Sequence, residues 1–549
     1  MLPRILLNTI TRVRWMKFAG LNRALGASQN TLLLKMVSEA ADTAFGRAHN
    51  FAAIRTRADF QKQVPIGTWD DFEPYIDRIV AGEASVLTNE GPPMMFNKTS
   101  GTTSKPKLIP VGARTTYGNG VTQKLWAYHA IQKHPHFLDG KAIPLVNKAV
   151  EGHTGLKVPY GSVSGMMFKN AHAIAKKRYA YPYDVVEIGD YLARRYTLMR
   201  LAVPENVTFI PGSNPSSLIK MFEAADEMKS ALLKDIHDGT LTAEVDVVPE
   251  IRAAIAPKLK ADPARARELE KLSGGGKLRP RDYWPNLKLI GCWKGGTVGQ
   301  FTSQILDWCA EGLVLRDTGY MSSEAHVSIP ITDRGSEGLL TIHTNVFEFV
   351  PEDEWGQPGA RALFADELEV GGTYQILLTT PSGLYRYAIN DVIEVVDMFG
   401  GAPLIRFLRK GRDVVNIHGE KVSANQVIAA MASAATAIGA RITHFMFVPD
   451  LEKSRYCLHV EFEGDAVNKG QLAHAFENEL GGLNYLYKGA RHNGILEPCA
   501  VHVMKPGWFN AIAAAQVAAG MRDTQFKPTV VGPEVLHGDH LELELDAVH

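Results

Sequence analysis

The sequence predicts an α/β fold in two parts: a large domain with a β-rich subregion, then a smaller α+β domain. Three observations predict it. From Val111 to the middle of the chain, helical patterns alternate with short apolar runs, as expected of strands separated by helices. Residues 338–397 are β-rich pieces joined by Gly and Pro turns. After Gly400 the pattern restarts, and a charged, turn-rich stretch leads into helix, paired strands and helix. A chain of 549 residues is also too long for one ordinary core.

The elements follow in order. Residues 1–90 read mainly as helix, with apolar residues at helical spacing through Leu32, Leu33, Met36, Val37 and Ala40. Arg4, Arg12, Arg14 and Lys17 interrupt the apolar residues of the N-terminus, so no signal-peptide core is present. Asn97–Pro110 reads as a turn-rich stretch. Val207–Ile210 and Leu287–Ile290 read as strands, and the Ala-rich, charged segment Pro215–Lys271 as helices. Ser273–Gly276 is a glycine loop. GLLTIHTNVFEFV, TYQILLTT and DVIEVVDMF predict antiparallel hairpins that close the large domain. Beyond them a helix is expected over Ala424–Ala437, strands over His444–Val448 and Tyr456–Phe462, and a helix over Lys469–Leu480. The boundary falls near Pro403–Asp413, giving domains 1–405 and 406–549.

Composition narrows the function. Lys+Arg and Asp+Glu both number 59, and this neutrality argues against nucleic acid as a partner. No run approaches the roughly 20 apolar residues that span a bilayer, so no membrane partner is expected. The four cysteines, Cys292, Cys309, Cys457 and Cys499, form no C-x-x-C pair. They read as buried small hydrophobes in a reducing, cytoplasmic compartment.

Five segments carry candidate chemistry. Thr99–Lys107 (TSGTTSKPK) combines hydroxyls, a glycine and lysines, which suits a polyphosphate. A polar surface turn is the plain alternative, and the spacing is not that of a Walker loop. In Gly319–Glu324 (GYMSSE) an aromatic ring can stack on a base and a carboxylate can hold Mg²⁺; a strand end with a solvated glutamate would look the same. In Gly383–Asp391 (GLYRYAIND) an aspartate at a strand terminus can accept from ribose hydroxyls, or the segment is a turn with Arg386 paired nearby. Arg409–Asp413 with Gly419–Lys421 is a charged linker or a hinge. Lys527, in Gln525–Pro528, carries no signal alone.

Their order is specific. It resembles the adenylate-forming superfamily, which places a phosphate loop, Tyr-x-x-(Ser/Thr)-Glu, a ribose aspartate, a hinge and a C-terminal lysine in this sequence. Within it the chain is similar to the GH3 acyl-acid amido synthetases. The carrying residues are VPIGTWDDFEPYIDRIVAGE (64–83), NKTSGTTSKPKLIPV (97–111), VPYGSVSG (158–165), NPSSLIKMFE (214–223), YWPNLKLIGCWKGG (283–296), GYMSSEAHVSIP (319–330), GLYRYAINDVIEV (383–395) and FKP (526–528). Asn390 stands where the family usually has Gly.

The resemblance implies an adenylation domain followed by a mobile lid. It implies ATP and Mg²⁺ as cofactors, and a monomer that joins a carboxylic acid to an amine, an amino acid being expected. It assigns nucleotide binding to Thr99, Ser100, Gly101, Thr102, Thr103, Tyr320, Ser322, Ser323, Asp391 and Arg409. Catalysis goes to Lys107, Glu324 and Lys527, with Glu324 also on the metal. Trp126, Tyr128, Thr154 and Ser164 are candidate walls of the acyl site, or core. An acyl-CoA ligase and a non-catalytic nucleotide- or acyl-binding protein stay open as alternatives.

Overall fold

The computed structural model describes residues 2–99, 107–212, 214–411, 413–464, 468–518, 521 and 526–540. The chain forms two compact units. One comprises Met1–Gly295, Phe301–Ile389 and Ile393–Phe407; the other comprises Gly296–Gln300, Asn390–Val392 and Leu408–His549.

The first unit begins with helices, as the apolar spacing requires. Leu2–Arg23 is followed by Leu25–Glu39, which buries Leu25, Leu33, Met36 and Val37 on one face. The helix Arg57–Gln63 starts at a capping box. Asp59 N–H donates to Thr56 Oγ1 at 3.1 Å, and Thr56 N–H donates back to Asp59 Oδ2 at 2.9 Å. These helices share a core with the largest sheet, through Phe45, Phe51, Phe60, Phe347, Ile376 and Leu378.

Three sheets follow. A parallel sheet takes the order Lys141–Ala142, Val207–Pro211, Leu289–Gly291, Val314–Arg316. Its strands are short apolar runs separated by helices, and the predicted helical region holds Pro215–Glu227, Lys229–Asp238, Pro249–Ile255 and Pro263–Ser273. A seven-stranded sheet contains the predicted β-rich region, with Val346–Pro351 antiparallel to Thr373–Thr379 at its heart. A third sheet pairs Met95–Lys98 with Leu108–Val111 and Pro159–Gly161. The turn expected over Asn97–Pro110 is therefore shorter than its sequence suggests. Met95, Phe96, Ile109 and Val111 are buried, and that burial draws both flanks into strand pairing.

In the second unit Ile442–Asp450 and Arg455–Phe462 form an antiparallel pair, and Ala500–Val503 adds in parallel. Helices Ala424–Ile438 and Lys469–Leu483 share its apolar core through Val427, Met431, Leu472 and Phe476. Gly439, with φ +67°, ends the first of these helices in the left-handed conformation that glycine adopts without strain. All four cysteines are buried and free. No helix among the described residues is long and apolar enough to cross a membrane.

Candidate active site

In the first unit, strand pairing closes the hydroxyl-rich loop. Thr99 N–H donates to the Lys107 carbonyl at 2.9 Å, and Lys107 N–H donates to Thr99 Oγ1 at 3.2 Å. Ser100, Gly101, Thr102 and Thr103 lie outside the described residues. The Lys107 ammonium stands 5.1 Å from the centroid of the Trp69 ring, a cation–π distance. Trp69 opens the helix Trp69–Val80. Its approach is fixed by backbone bonds, from Gly67 N–H to Arg386 O at 3.2 Å and from Ala388 N–H to Gly67 O at 2.8 Å.

The segment Gly319–Glu324 is a shaped loop. Gly319 has φ +94°, and a side chain there would meet the Ser328 carbonyl, so only glycine fits. The Tyr320 carbonyl accepts from Val327 N–H at 2.8 Å and Ser328 N–H at 3.1 Å. The Tyr320 ring, half-buried, lies 5.2 Å from Phe407 in a tilted contact. Ser322 Oγ accepts from Ala325 N–H at 3.1 Å and so tightens the loop itself. The Ser323 carbonyl accepts from Asn97 Nδ2 at 3.0 Å. That bond brings the first two motifs together across 226 residues of sequence.

Asp317 anchors this loop. It is buried, and its two oxygens accept from Lys294 N–H at 2.7 Å and Gly319 N–H at 2.6 Å. Burial pushes its carboxyl up to about 6, against those bonds. Trp126 donates from Nε1 to the Asp317 carbonyl at 2.8 Å and stacks on Phe209. Tyr128 stacks on Trp15. These contacts use both aromatics as packing.

Glu324 is half-buried, and its contact with Tyr387 Oη is 3.5 Å long. Hydroxyl-to-carboxylate hydrogen bonds are normally near 2.7 Å, so this carboxylate is loosely held. A loosely held hard oxygen suits Mg²⁺, which takes one or two carboxylates and fills its shell with phosphate and water.

In the second unit, Asp391 sits inside the long strand Tyr387–Phe399, not at the strand terminus expected from sequence. The physical reason is Asn390, whose φ of +58° bends the strand without ending it. Asparagine and glycine tolerate that left-handed geometry best. Asp391 is 2% exposed, and Lys410 Nζ forms an ion pair with its Oδ1. Lys410 N–H in turn donates to Asp413 Oδ2 at 3.2 Å. Arg409 is half-buried, its Nη1 3.4 Å from the Lys410 carbonyl.

Lys527 belongs to the same charged group. Its segment docks on the strand Ile442–Asp450, where Phe447 N–H donates to Val530 O at 2.7 Å. The neighbouring Phe526 is buried 5.6 Å from Phe509. Lys527 is exposed, and protein atoms also crowd it. That crowding first, and the Lys410 ammonium second, push its pKa down; Asp391 and Asp413 act the other way.

The structure thus joins Thr99, Lys107, Tyr320, Ser323 and Glu324 in one unit, and Asp391, Lys410, Asp413 and Lys527 in the other. Sequence reasoning did not assign roles to Trp69, Asn97, Asp317, Tyr387 or Lys410. All but Asp317 lie within segments already singled out, and Asp317 stands two residues before one.

Residues 14–313 match the GH3 family N-terminal domain, 338–410 the GH3 family central domain and 425–532 the GH3 family C-terminal domain. Indole-3-acetic acid-amido synthetase GH3.8 of Oryza sativa subsp. indica is 26% identical, over 91% of this chain and 87% of that protein. Jasmonoyl–L-amino acid synthetase JAR6 of Nicotiana attenuata is 24% identical, over 94% of this chain and 93% of that one. The solved structure of AtGH3.15 acyl acid amido synthetase in complex with 2,4-DB superposes with a TM-score of 0.83 at 20% identity, covering 96% of this chain and 95% of that one. With all three of its domains matched in order along the chain, the protein belongs to the GH3 family.

Proposed function

We propose that the chain activates a carboxylic acid with ATP as an acyl-adenylate and transfers the acyl group to an amine, an amino acid by preference, forming an amide. The full-length likeness to acid-amido synthetases carries this reading. The two residue groups described above supply the chemistry it requires.

A carboxylate is a poor electrophile, and attack by one anion on another needs compensating positive charge. Lys107 and Lys527 provide cations for the phosphates, and Thr99 offers a hydroxyl at the mouth of its loop. Glu324 would hold Mg²⁺, which supplies Lewis-acid stabilisation of the phosphate oxygens when bound. Ser100, Gly101, Thr102 and Thr103 would cradle the phosphates, and Tyr320 with Ser322 and Ser323 would face the base. Asp391 would accept from the ribose, with Arg409 beside it and Lys410 fixing the carboxylate. No serine or cysteine nucleophile is required, because the mixed anhydride is itself electrophilic enough for an amine.

The proposed division of labour is an adenylation domain over 1–405 and a lid over 406–549 that turns about Arg409–Asp413. Lid closure excludes water from a labile intermediate. Four buried free thiols support a reducing, cytoplasmic setting.

The direct test incubates the protein with ATP, Mg²⁺, a panel of carboxylic acids and the common amino acids, and reads the products by mass spectrometry. An amide formed together with AMP supports the reading. A thioester formed with coenzyme A, and no amide with any amine, contradicts it.

A further inference from the structure

The first helix, Leu2–Arg23, has a surface the proposed chemistry does not use. Its inner face packs into the protein through Thr11, Trp15, Phe18 and Asn22. Its outer face exposes Ile5, Leu6, Ile10, Val13 and Met16, at 61%, 63%, 41%, 43% and 52%. At 3.6 residues per turn these five align along one side. Single exposed apolar residues are ordinary, but an aligned stripe is not.

The charge of the helix is equally one-sided. It carries Arg4, Arg12, Arg14, Lys17 and Arg23 and no acidic residue, in a chain whose overall charge is balanced. Arg12 is exposed at the edge of the stripe and Lys17 within it, between Leu6 and Ile10. Two exposed aromatic rings lie near other residues of this helix. Arg14 Nη1 donates to Tyr117 Oη at 3.0 Å, and Tyr117 is 63% exposed. The exposed ring of Phe399 lies 6.4 Å from Trp15.

We propose that this helix lies on an anionic membrane surface, its apolar stripe in the interface and its basic residues against lipid phosphates. Two features choose a lipid surface over a second copy of the chain. A symmetric pairing of this helix would bring two sets of cations together with no acid on the helix to offset them. A bilayer of anionic lipid accepts both the apolar stripe and the positive charge, which is how interfacial helices bind. That no helix among the described residues is long and apolar enough to span concerns insertion across a bilayer; a helix lying on the surface needs no such length.

The test uses the full chain with two kinds of vesicle, phosphatidylcholine alone and phosphatidylcholine mixed with phosphatidylglycerol, in a flotation assay. Binding is expected to the anionic vesicles, and to weaken as salt is raised. Leu6→Glu with Val13→Glu should reduce it by about tenfold or more, each side chain losing its apolar burial. Arg12→Glu with Lys17→Glu should also reduce it while leaving pyrophosphate exchange in solution unchanged. All four positions are exposed, so circular dichroism should show both variants folded. Equal binding to the two vesicle types, or binding to neither, overturns the proposal. So does a concentration-dependent dimer in light scattering that Leu6→Glu with Val13→Glu abolishes.

Discussion

Tyr387, at the start of a strand, directs its hydroxyl across 3.5 Å at Glu324 in a loop 63 residues earlier in the chain. The distance is too long for a strong bond, so the carboxylate is only loosely held. Glu324→Gln keeps the shape and removes the charge a metal needs. Turnover should fall about 100-fold, the scale of losing one group that stabilises transition-state charge. Nucleotide affinity should change little. Steady-state kinetics beside nucleotide titration separate the two, and a matching loss of affinity would reassign Glu324 to ground-state binding.

Asp391 is buried in an ion pair with Lys410. Asp391→Ala should raise KM for ATP roughly tenfold, as expected when a charged hydrogen-bonding group is lost, with a smaller effect on kcat. Ribose contacts exist in ground and transition states alike. A fall in kcat at constant KM would show that the aspartate acts on the reacting phosphates.

Lys527 should limit activity at alkaline pH. Its pKa lies below the ordinary lysine value because of crowding and the Lys410 ammonium. In the proposed chemistry the protonated form is the useful one, so exchange should decline as pH rises through that lowered pKa. Lys527→Arg should move the decline to higher pH, since guanidinium keeps its proton. An unchanged limb in the arginine variant would assign it to another group.

Asp317 makes stability depend on pH. Its folded pKa of about 6 exceeds the ordinary 3.8, so the folded state holds the proton more tightly than the unfolded state. Stability should therefore be highest below about pH 4 as far as this group is concerned, and fall by roughly 3 kcal/mol as pH rises to about 6. Asp317→Asn should remove that slope, read by denaturant titration across the window. The slope is the decisive quantity, because asparagine accepts only one of the two backbone N–H bonds and so also shifts the overall level.

Much of this architecture is legible in the sequence because it is local. Helix periodicity, β-rich runs and turn residues gave the predicted strands at Val207, Thr373 and Tyr456 and the helices of Pro215–Lys271. The order of the five motifs identified the family. The pairings that build the site are not local. Asn97 reaches Ser323, and Trp69 reaches Lys107 only because Gly67 pairs with Arg386. Arg386 itself donates from Nε to both oxygens of buried Glu348 at 3.1 Å, a partner 38 residues away where a neighbour in the turn was expected. Asp391 escaped placement for a finer reason. One positive φ at Asn390 separates a strand that bends from one that ends, and composition does not encode the difference.

Exchange of labelled pyrophosphate into ATP tests the adenylation chemistry most directly, because the first half-reaction runs backwards while the adenylate stays bound. With Mg²⁺ and a broad panel of carboxylic acids, exchange should depend on one class of acid and need no amine. It should fall about 100-fold in Glu324→Gln and by a comparable factor in Lys527→Ala. Lys527→Ala given pre-formed acyl-adenylate and amine should still form much of the amide. Absence of exchange with every acid, in protein shown to be folded, would contradict an adenylate-forming enzyme.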